Sequence, residues 1–216
     1  MESIEKKQRK ITQTRDPEAT RNRILDAAEQ EFAKAGLLGA RTEAIAAKTA
    51  VTKAMLFYYF EDKETLYRAV LERTFTKRVR AMQRMDINNA KAEVALRSFV
   101  QVFLEEIADS THMGSMFIYE SIQNKGKYYK EIAIATLYAP LVAILQRGVA
   151  NGEFRKFDPV HATVNIIGVC SFYFLVRENM KHLWHPTADL LEPDMIQQHV
   201  SEAIEFILAG CRQTKQ

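Results

Sequence analysis

Two threonines ten positions apart, Thr42 and Thr52, each head a short run of helix-forming residues, TEAIAAKT and KAMLFYY. Only about three residues, Thr49 to Val51, separate the runs. A threonine hydroxyl can accept from an amide left free in the first helical turn, so each run reads as a short capped helix, with Ile45 and Ala46 facing inward in the first. Two short helices joined by so tight a turn make the helix-turn-helix unit, whose second member is shaped to enter a major groove.

The flanking chain is expected to be helical as well. Asp16 can cap and Pro17 can open a helix running to Ala35, with Ile24, Leu25, Ala28 and Phe32 as its apolar stripe and Gly36 as its left-handed stop. Asp62 caps a longer helix reaching about Met85, buried through Leu66, Val70, Leu71 and Phe75. Beyond Asp86, helices are expected near 89–109, 113–123, 127–151, 158–180 and 193–210. The breaks between them fall at His112-Met113-Gly114, Asn124-Lys125-Gly126, Asn151-Gly152 and His185-Pro186. Residues 1–15 carry Lys6, Lys7, Arg9, Lys10 and Arg15 without an apolar period. They read as a flexible basic tail, either a solvated terminus or an arm that touches DNA.

Composition removes several function classes. With 8 glycines, 5 prolines and 47% hydrophobic residues in 216, the chain is neither collagen-like nor disordered. The glycines stand singly, so there is no P-loop or dinucleotide fingerprint, and no serine-hydrolase elbow occurs. Cys170 and Cys211 are too few and too far apart for a disulfide framework or a thiolate zinc site; with no signal peptide ahead of them, a reducing cytoplasm is expected. From Pro159 to Val176 no residue carries a formal charge, ending in VNIIGVCSFYFLV. His161, Thr163 and Asn165 in its first half make this a helix buried in a bundle or a subunit interface rather than a membrane span.

Charge divides the chain. Residues 1–80 hold 17 Lys+Arg against 12 Asp+Glu, whereas residues 81–216 hold 13 against 15. A basic first third on a neutral-to-acidic remainder is the footprint of a nucleic-acid-binding module joined to something else.

Residues 42–66 read TEAIAAKTAVTKAMLFYYFEDKETL. At Thr42, Ile45, Ala46, Val51, Thr52, Leu56, Tyr59, Phe60, Lys63, Glu64 and Leu66 this segment strongly resembles the TetR family, the tetracycline-repressor-like bacterial regulators. The preceding RNRILDAAEQEFAKAG is similar to the family's first helix in its Ile-Leu-x-Ala-Ala and Phe-x-x-x-Gly positions. The match covers roughly residues 17–70; the rest is similar only in length and helical pattern. The resemblance implies an all-α protein: an N-terminal three-helix DNA-binding domain with a helix-turn-helix at 16–62, then a larger helical ligand-binding and dimerisation domain at 63–216. It implies a non-enzymatic homodimeric regulator, a repressor released from double-stranded operator DNA by a small hydrophobic or amphipathic effector, with no cofactor, metal or membrane.

The resemblance also carries residue roles. Thr42, Tyr59 and Lys63 would hold phosphates, Thr52 would cap the recognition helix, and Lys53, Ala54, Met55 and Tyr58 would lie near base edges. The physics agrees in outline, since a helix start offers free amides and a positive dipole end to a phosphate. Ala54 and Met55 can read a base only by apolar contact, such as with a thymine methyl. Three departures stand out. Ala50 occupies a turn position where relatives usually have Gly, at a cost of about 1 kcal/mol if its φ is positive. Ala54 replaces a second frequent Gly, and Phe57 replaces a Tyr whose hydroxyl in relatives often reaches the DNA backbone.

The later helices are dense in aromatic residues and Met. Phe99, Phe103, Met113, Met116, Phe117, Tyr138, Phe172 and Tyr173 are candidate walls of the implied ligand cavity, with His112, Tyr119, Gln123, Asn165 and Arg177 as polar anchors. A stripe of such residues at helical spacing is, taken singly, more often core than pocket. His182 and His185 with Glu178 lie on adjacent turns but lack a third or fourth partner at metal-site spacing, so they read as a polar helix end. The alternative to a transcription factor is a helical ligand-binding or interaction protein whose helix-turn-helix no longer reads DNA, suggested by Ala50 and Phe57.

Overall fold

A computed structural model describes residues 16–213 apart from 84–86, 88, 111 and 186. The basic tail at 1–15 lies outside the described residues. The helices are α1 (Pro17–Gly39), α2 (Thr42–Thr49), α3 (Lys53–Phe60), α4 (Lys63–Gln83), α5 (Ala92–Asp109) and α6 (Met113–Asn124). They continue with α7 (Lys127–Ala133), α8 (Ala139–Ala150), α9 (Pro159–Leu175), α10 (Arg177–Met180) and α11 (Pro193–Cys211). The all-α class holds: among the described residues the one strand-like pairing is an isolated bridge between Phe154 and Arg212.

Side-chain caps start four of the helices. Asp16 Oδ1 accepts from the Glu18 amide at 2.9 Å, Thr52 Oγ1 from Met55 at 3.1 Å, Asp62 Oδ1 from Thr65 at 2.7 Å and Asp158 Oδ1 from His161 at 2.7 Å. Thr42, expected as a cap, is instead the first helical residue of α2, and Arg41 holds the cap position without a side-chain bond. The amide of Arg41 finds its acceptor on α1, donating to Glu31 Oε1 at 3.2 Å. A carboxylate from a neighbouring helix thus holds the cap residue in place, while the amides a Thr42 cap would have served, those of Ala44 and Ile45, turn to the Arg41 carbonyl at 3.1 and 3.3 Å.

Three expected boundaries moved. Gly36 does take a positive φ of 67°, but it kinks α1 rather than ending it, and one more turn runs to Gly39. The helix expected over 127–151 is broken by a π-turn at Ile134–Tyr138, where the Ala139 amide reaches back five residues to Ile134. Pro140 follows directly; lacking an N–H and crowding the carbonyl four residues earlier, it favours a widened turn at that point. The helix expected over 158–180 stops at Leu175, and the chain bends by 70° into α10. Arg177 Nη1 takes the Phe174 carbonyl at 3.1 Å, just where the apolar run gives way to charged residues.

Two main cores result. Ile24, Phe32, Ile45, Leu56, Leu66 and Tyr67 knit α1–α4 together, and Met116 of α6 and Tyr128 of α7 belong to the same cluster. Leu96, Phe99, Leu104, Leu141, Ile144, Cys170 and Leu208 join α5, α8, α9 and α11. Both cysteines are free and buried, and burial alone pushes the Cys170 thiol up to about 12. Among the described residues no single helix is long and apolar enough to cross a membrane.

Candidate nucleic-acid interface and ligand cleft

The α2–α3 turn is built by backbone bonds around Ala50. Its φ of 53° and ψ of 34° are left-handed; its amide donates toward Ala47, and the next amide, of Val51, reaches Ala46 at 3.2 Å. That is the glycine-type helix stop made with an alanine. The α3 helix that follows is anchored by buried Leu56 and Phe60, one turn apart. Helical geometry then turns Lys53, Ala54 and Tyr58 to solvent together, with Tyr58 86% exposed. Met55 and Tyr59 are half-buried beneath that face, and Tyr59 packs edge-on to Tyr58 at 5.6 Å. Phe57 packs against the N-terminal core, with the Lys53 ammonium 5.8 Å from its ring centre.

The charges of this face are already engaged. Lys53 Nζ donates to Glu43 Oε1 at 2.5 Å across the turn, and this bond holds the exposed Glu43 carboxyl below its usual pKa. Lys63 Nζ donates to the carbonyls of Leu38 and Ala40, each at 3.2 Å, tying the start of α4 to the end of α1. An ammonium has three N–H bonds, so one is left for a phosphate. Asp62 fills the free amides at the same helix start, and those bonds lower its pKa. Thr42 is 8% exposed, with its hydroxyl on Glu43 Oε2 at 3.4 Å. The turn from α3 into α4 is strained: Glu61 has φ 57° and ψ −61°, and the Asp62 amide bonds the Phe60 carbonyl across it. This is the uncommon γ-turn with positive φ.

The residues expected to line one ligand cavity are instead distributed over several places. Phe103, Met113 and Phe117 do line an apolar cleft, together with Ile107, Gly114, Tyr129, Ile167, Ser171, Phe174 and Leu175. Phe99 is fully buried in the C-terminal core, stacked on Phe103 at 6.3 Å, and Met116 lies in the N-terminal core. Tyr138 packs beside Tyr129 at 6.1 Å without lining the cleft. Phe172 is on the surface, His112 is half-buried at the α6 cap position, and Arg177 binds the α9 terminus. Asn165 borders a separate groove between α9 and α11, and Tyr173 a third pocket. Helical period alone cannot tell which apolar stripe faces a void and which faces another helix. Of the polar helix end, His185 Nδ1 lies 2.8 Å from Thr187 Oγ1 and Glu178 binds Lys181 at 2.9 Å.

Tyr119 and Gln123 are the clearest corrections. Neither lines the cleft; both fasten α6 to the kink of α1. Tyr119 Oη donates to the Lys34 carbonyl at 3.1 Å. Gln123 accepts from the Leu38 amide at 3.1 Å and donates to the Ala35 carbonyl at 3.2 Å. A Cβ on Gly36 would stand 2.3 Å from Gln123 Oε1, so the glycine is needed for this close approach as well as for its φ.

A residue not singled out in the sequence, Glu120, completes the junction. It is buried, and its carboxylate accepts from Tyr67 Oη of α4 at 3.0 Å and from Asn124 Nδ2 at 2.6 Å. It also accepts from the amides of Tyr128 and Tyr129, at 2.7 and 3.2 Å. Buried, and facing this carboxylate, the Tyr67 phenol is pushed far above its ordinary pKa. Tyr129 meanwhile lines the cleft and packs edge-on against Phe75 of α4 at 5.3 Å.

Comparison with known proteins accounts for both parts of this arrangement. Residues 24–70 match the bacterial regulatory proteins of the tetR family, and residues 93–207 match the tetracyclin repressor-like C-terminal domain. The HTH-type transcriptional repressor NicS of Pseudomonas putida is 29% identical over 159 residues, 71% of this chain and 75% of NicS. Among solved structures, a transcriptional regulator of Streptomyces coelicolor, SCO4942, superposes with a TM-score of 0.70 at 21% identity, over 89% of this chain and 98% of that one. FadR of Bacillus subtilis, in complex with stearoyl-CoA, superposes with a TM-score of 0.68 at 19% identity, over 88% and 98%. With an exposed recognition helix on a helix-turn-helix and a helical body matching the family's C-terminal domain, the chain belongs to the TetR family of ligand-responsive, DNA-binding transcriptional regulators.

Proposed function

We propose that this protein is a homodimeric repressor that leaves a pseudo-palindromic operator when a small apolar or amphipathic ligand parts the helices around the Phe103–Phe117–Phe174 cleft. The observation that carries this reading is Tyr129. It walls the cleft, rests on Phe75 of α4 and donates its amide to Glu120 of α6. The cleft holds only about 30 Å³, room for one or two waters, so a metabolite must move its walls to enter. Movement of Tyr129 acts on α4, and Phe75 stands 12 residues, about 18 Å of helix, from Lys63. A small tilt there becomes a displacement of the recognition helix.

In this reading Lys53, Ala54 and Tyr58 face the bases, while Thr42, Tyr59 and the third N–H of Lys63 face phosphates. Lys53 exchanges Glu43 for DNA on docking. A second copy covers the exposed apolar faces of α9 and α11, where Val160, Val164, Phe172 and Phe206 lie in solvent. In such a dimer the two α3 helices read half-sites about 34–36 Å apart, or a small multiple of that.

The test is to select duplexes from a random pool, identify co-purified small molecules by native mass spectrometry, and titrate them into the complex. By linkage, a ligand that weakens DNA binding is itself weakened by DNA by the same factor, typically 5- to 150-fold. Equal ligand affinity with and without operator excludes the coupling. Absence of salt-sensitive retention on DNA excludes phosphate binding itself and favours a helix-turn-helix that no longer reads DNA.

A further inference from the structure

Away from the cleft and the DNA face, a third concavity lies between α9, the turn at 181–185 and α11. It encloses about 140 Å³ and is lined by Tyr173, Trp184, Met195, Gln198, His199 and Glu202. The last four repeat at helical spacing, so α11 turns one face into the pocket. His199 stacks on Tyr173 with ring centres 4.0 Å apart and planes within 10°, and Tyr173 meets Trp184 edge-on at 6.4 Å. The Nε2 of His199 is buried and has no hydrogen-bond partner among the described residues. Burial holds this imidazole below the ordinary histidine pKa, so at neutral pH the ring is uncharged, and the tautomer with its proton on Nδ1 offers a lone pair at Nε2.

The surrounding charge is negative. Glu202 is on the wall, and the Tyr173 phenol is raised by burial and, to a lesser degree, by the nearby charge of Asp189. Lys181, on the turn that borders the pocket, is held by Glu178 at 2.9 Å. A lone pair without a donor, a carboxylate and aromatic faces together suit one chemistry, a cation that carries an N–H.

We propose that this pocket binds a small organic ammonium ion, primary or secondary, whose N–H donates to His199 Nε2, whose charge faces Glu202 and whose apolar substituent packs on Trp184 and Tyr173. The site is separate from the cleft. Phe174 stands between them, lining the cleft while its ring packs edge-on to His199 at 5.7 Å.

Trp184 is the only tryptophan in the chain, so its fluorescence reports occupancy of this pocket. Full-length protein at neutral pH is titrated with benzylamine, benzyl alcohol and tetramethylammonium. Benzylammonium is expected to saturate the signal, with benzyl alcohol weaker by about tenfold for want of charge and tetramethylammonium weaker by about fivefold for want of an N–H. Glu202→Gln, an exposed substitution that leaves the core alone, and His199→Phe should each weaken benzylammonium by about tenfold. Phe117→Leu, in the cleft, should leave it unchanged. Absence of saturable binding, benzyl alcohol binding as tightly as the amine, or full affinity in both Glu202→Gln and His199→Phe overturns the proposal; tetramethylammonium binding as tightly as the amine overturns the hydrogen bond to His199. None of these readouts uses DNA, so they stand or fall apart from the repressor reading.

Discussion

Single residues decide how the recognition helix is presented. Ala50 holds a left-handed conformation that costs an L-residue about 1–2 kcal/mol, while glycine would add about 0.5–1 kcal/mol of unfolded-chain entropy. Relief of the strain outweighs that entropy, so Ala50→Gly is expected to stabilise the fold by up to about 1 kcal/mol, seen as a higher urea midpoint at constant m-value. A lower midpoint would mean that the Ala50 methyl makes packing contacts worth more than its strain. Lys63 combines two roles, a tie to the carbonyls at 38 and 40 and a proposed phosphate contact. Lys63→Ala should weaken DNA of every sequence and lower the salt slope by about 2 per dimer. If affinity falls while the slope stays, the lysine acts only as the tie. The sequence motif marks Lys63 as important but cannot separate these roles, because both acceptor carbonyls lie more than 20 residues away along the chain.

At the scale of elements, α6 is the joint. The motifs define α1–α4, and nothing in them shows that α6 supplies Tyr119, Glu120 and Gln123 to hold α1 and α4. Tyr119 and Gln123 read as ligand anchors in sequence because polar residues on an amphipathic helix look alike whether they meet a ligand or another helix's carbonyls. Glu120→Gln replaces one acceptor oxygen by a donor against N–H and O–H groups, and each buried group left unpaired costs about 1–3 kcal/mol. Chemical denaturation should therefore show a loss of about 2 kcal/mol or more. A change within experimental error would mean that the carboxylate network relaxes freely. A second packing node sits where α8 crosses the start of α5. A Cβ on Gly148 would lie 2.1 Å from Phe154 and 2.9 Å from Ala92. Gly148→Ala gains about 1 kcal/mol of helix propensity, but it forces the buried Phe154 to move, at about 1–3 kcal/mol or more. The expected outcome is a lower thermal midpoint, and a higher one would show that the ring has space to retreat.

At the scale of the whole molecule, α9 and α11 present bare apolar faces. Val164 is 61% exposed and Phe206 70%, whereas the opposite sides of the same helices are core. The uncharged stretch at 159–176 is thus buried on one face only within a single chain. Val164→Glu places a charge on that bare face without entering the core. Sedimentation should then shift from dimer toward monomer, and operator affinity should fall toward that of a single half-site. An unchanged dimer would move the interface elsewhere.

What the sequence by itself determined is local: the helical class, the caps at Asp16, Thr52 and Asp62, and the left-handed glycine at Gly36. These follow from bonds and periods within a few residues, which is the range over which a sequence is legible. The tertiary structure alone decided which apolar stripes became core, which lined the cleft, and which polar side chains became ties. Burial and hydrogen-bond partnership depend on residues brought together from far apart, as with Glu120 and Tyr67, 53 positions from each other. The same limit explains Thr42: its segment asks for a cap, but the cap position falls one residue earlier, at Arg41, whose amide is held by Glu31 from another helix.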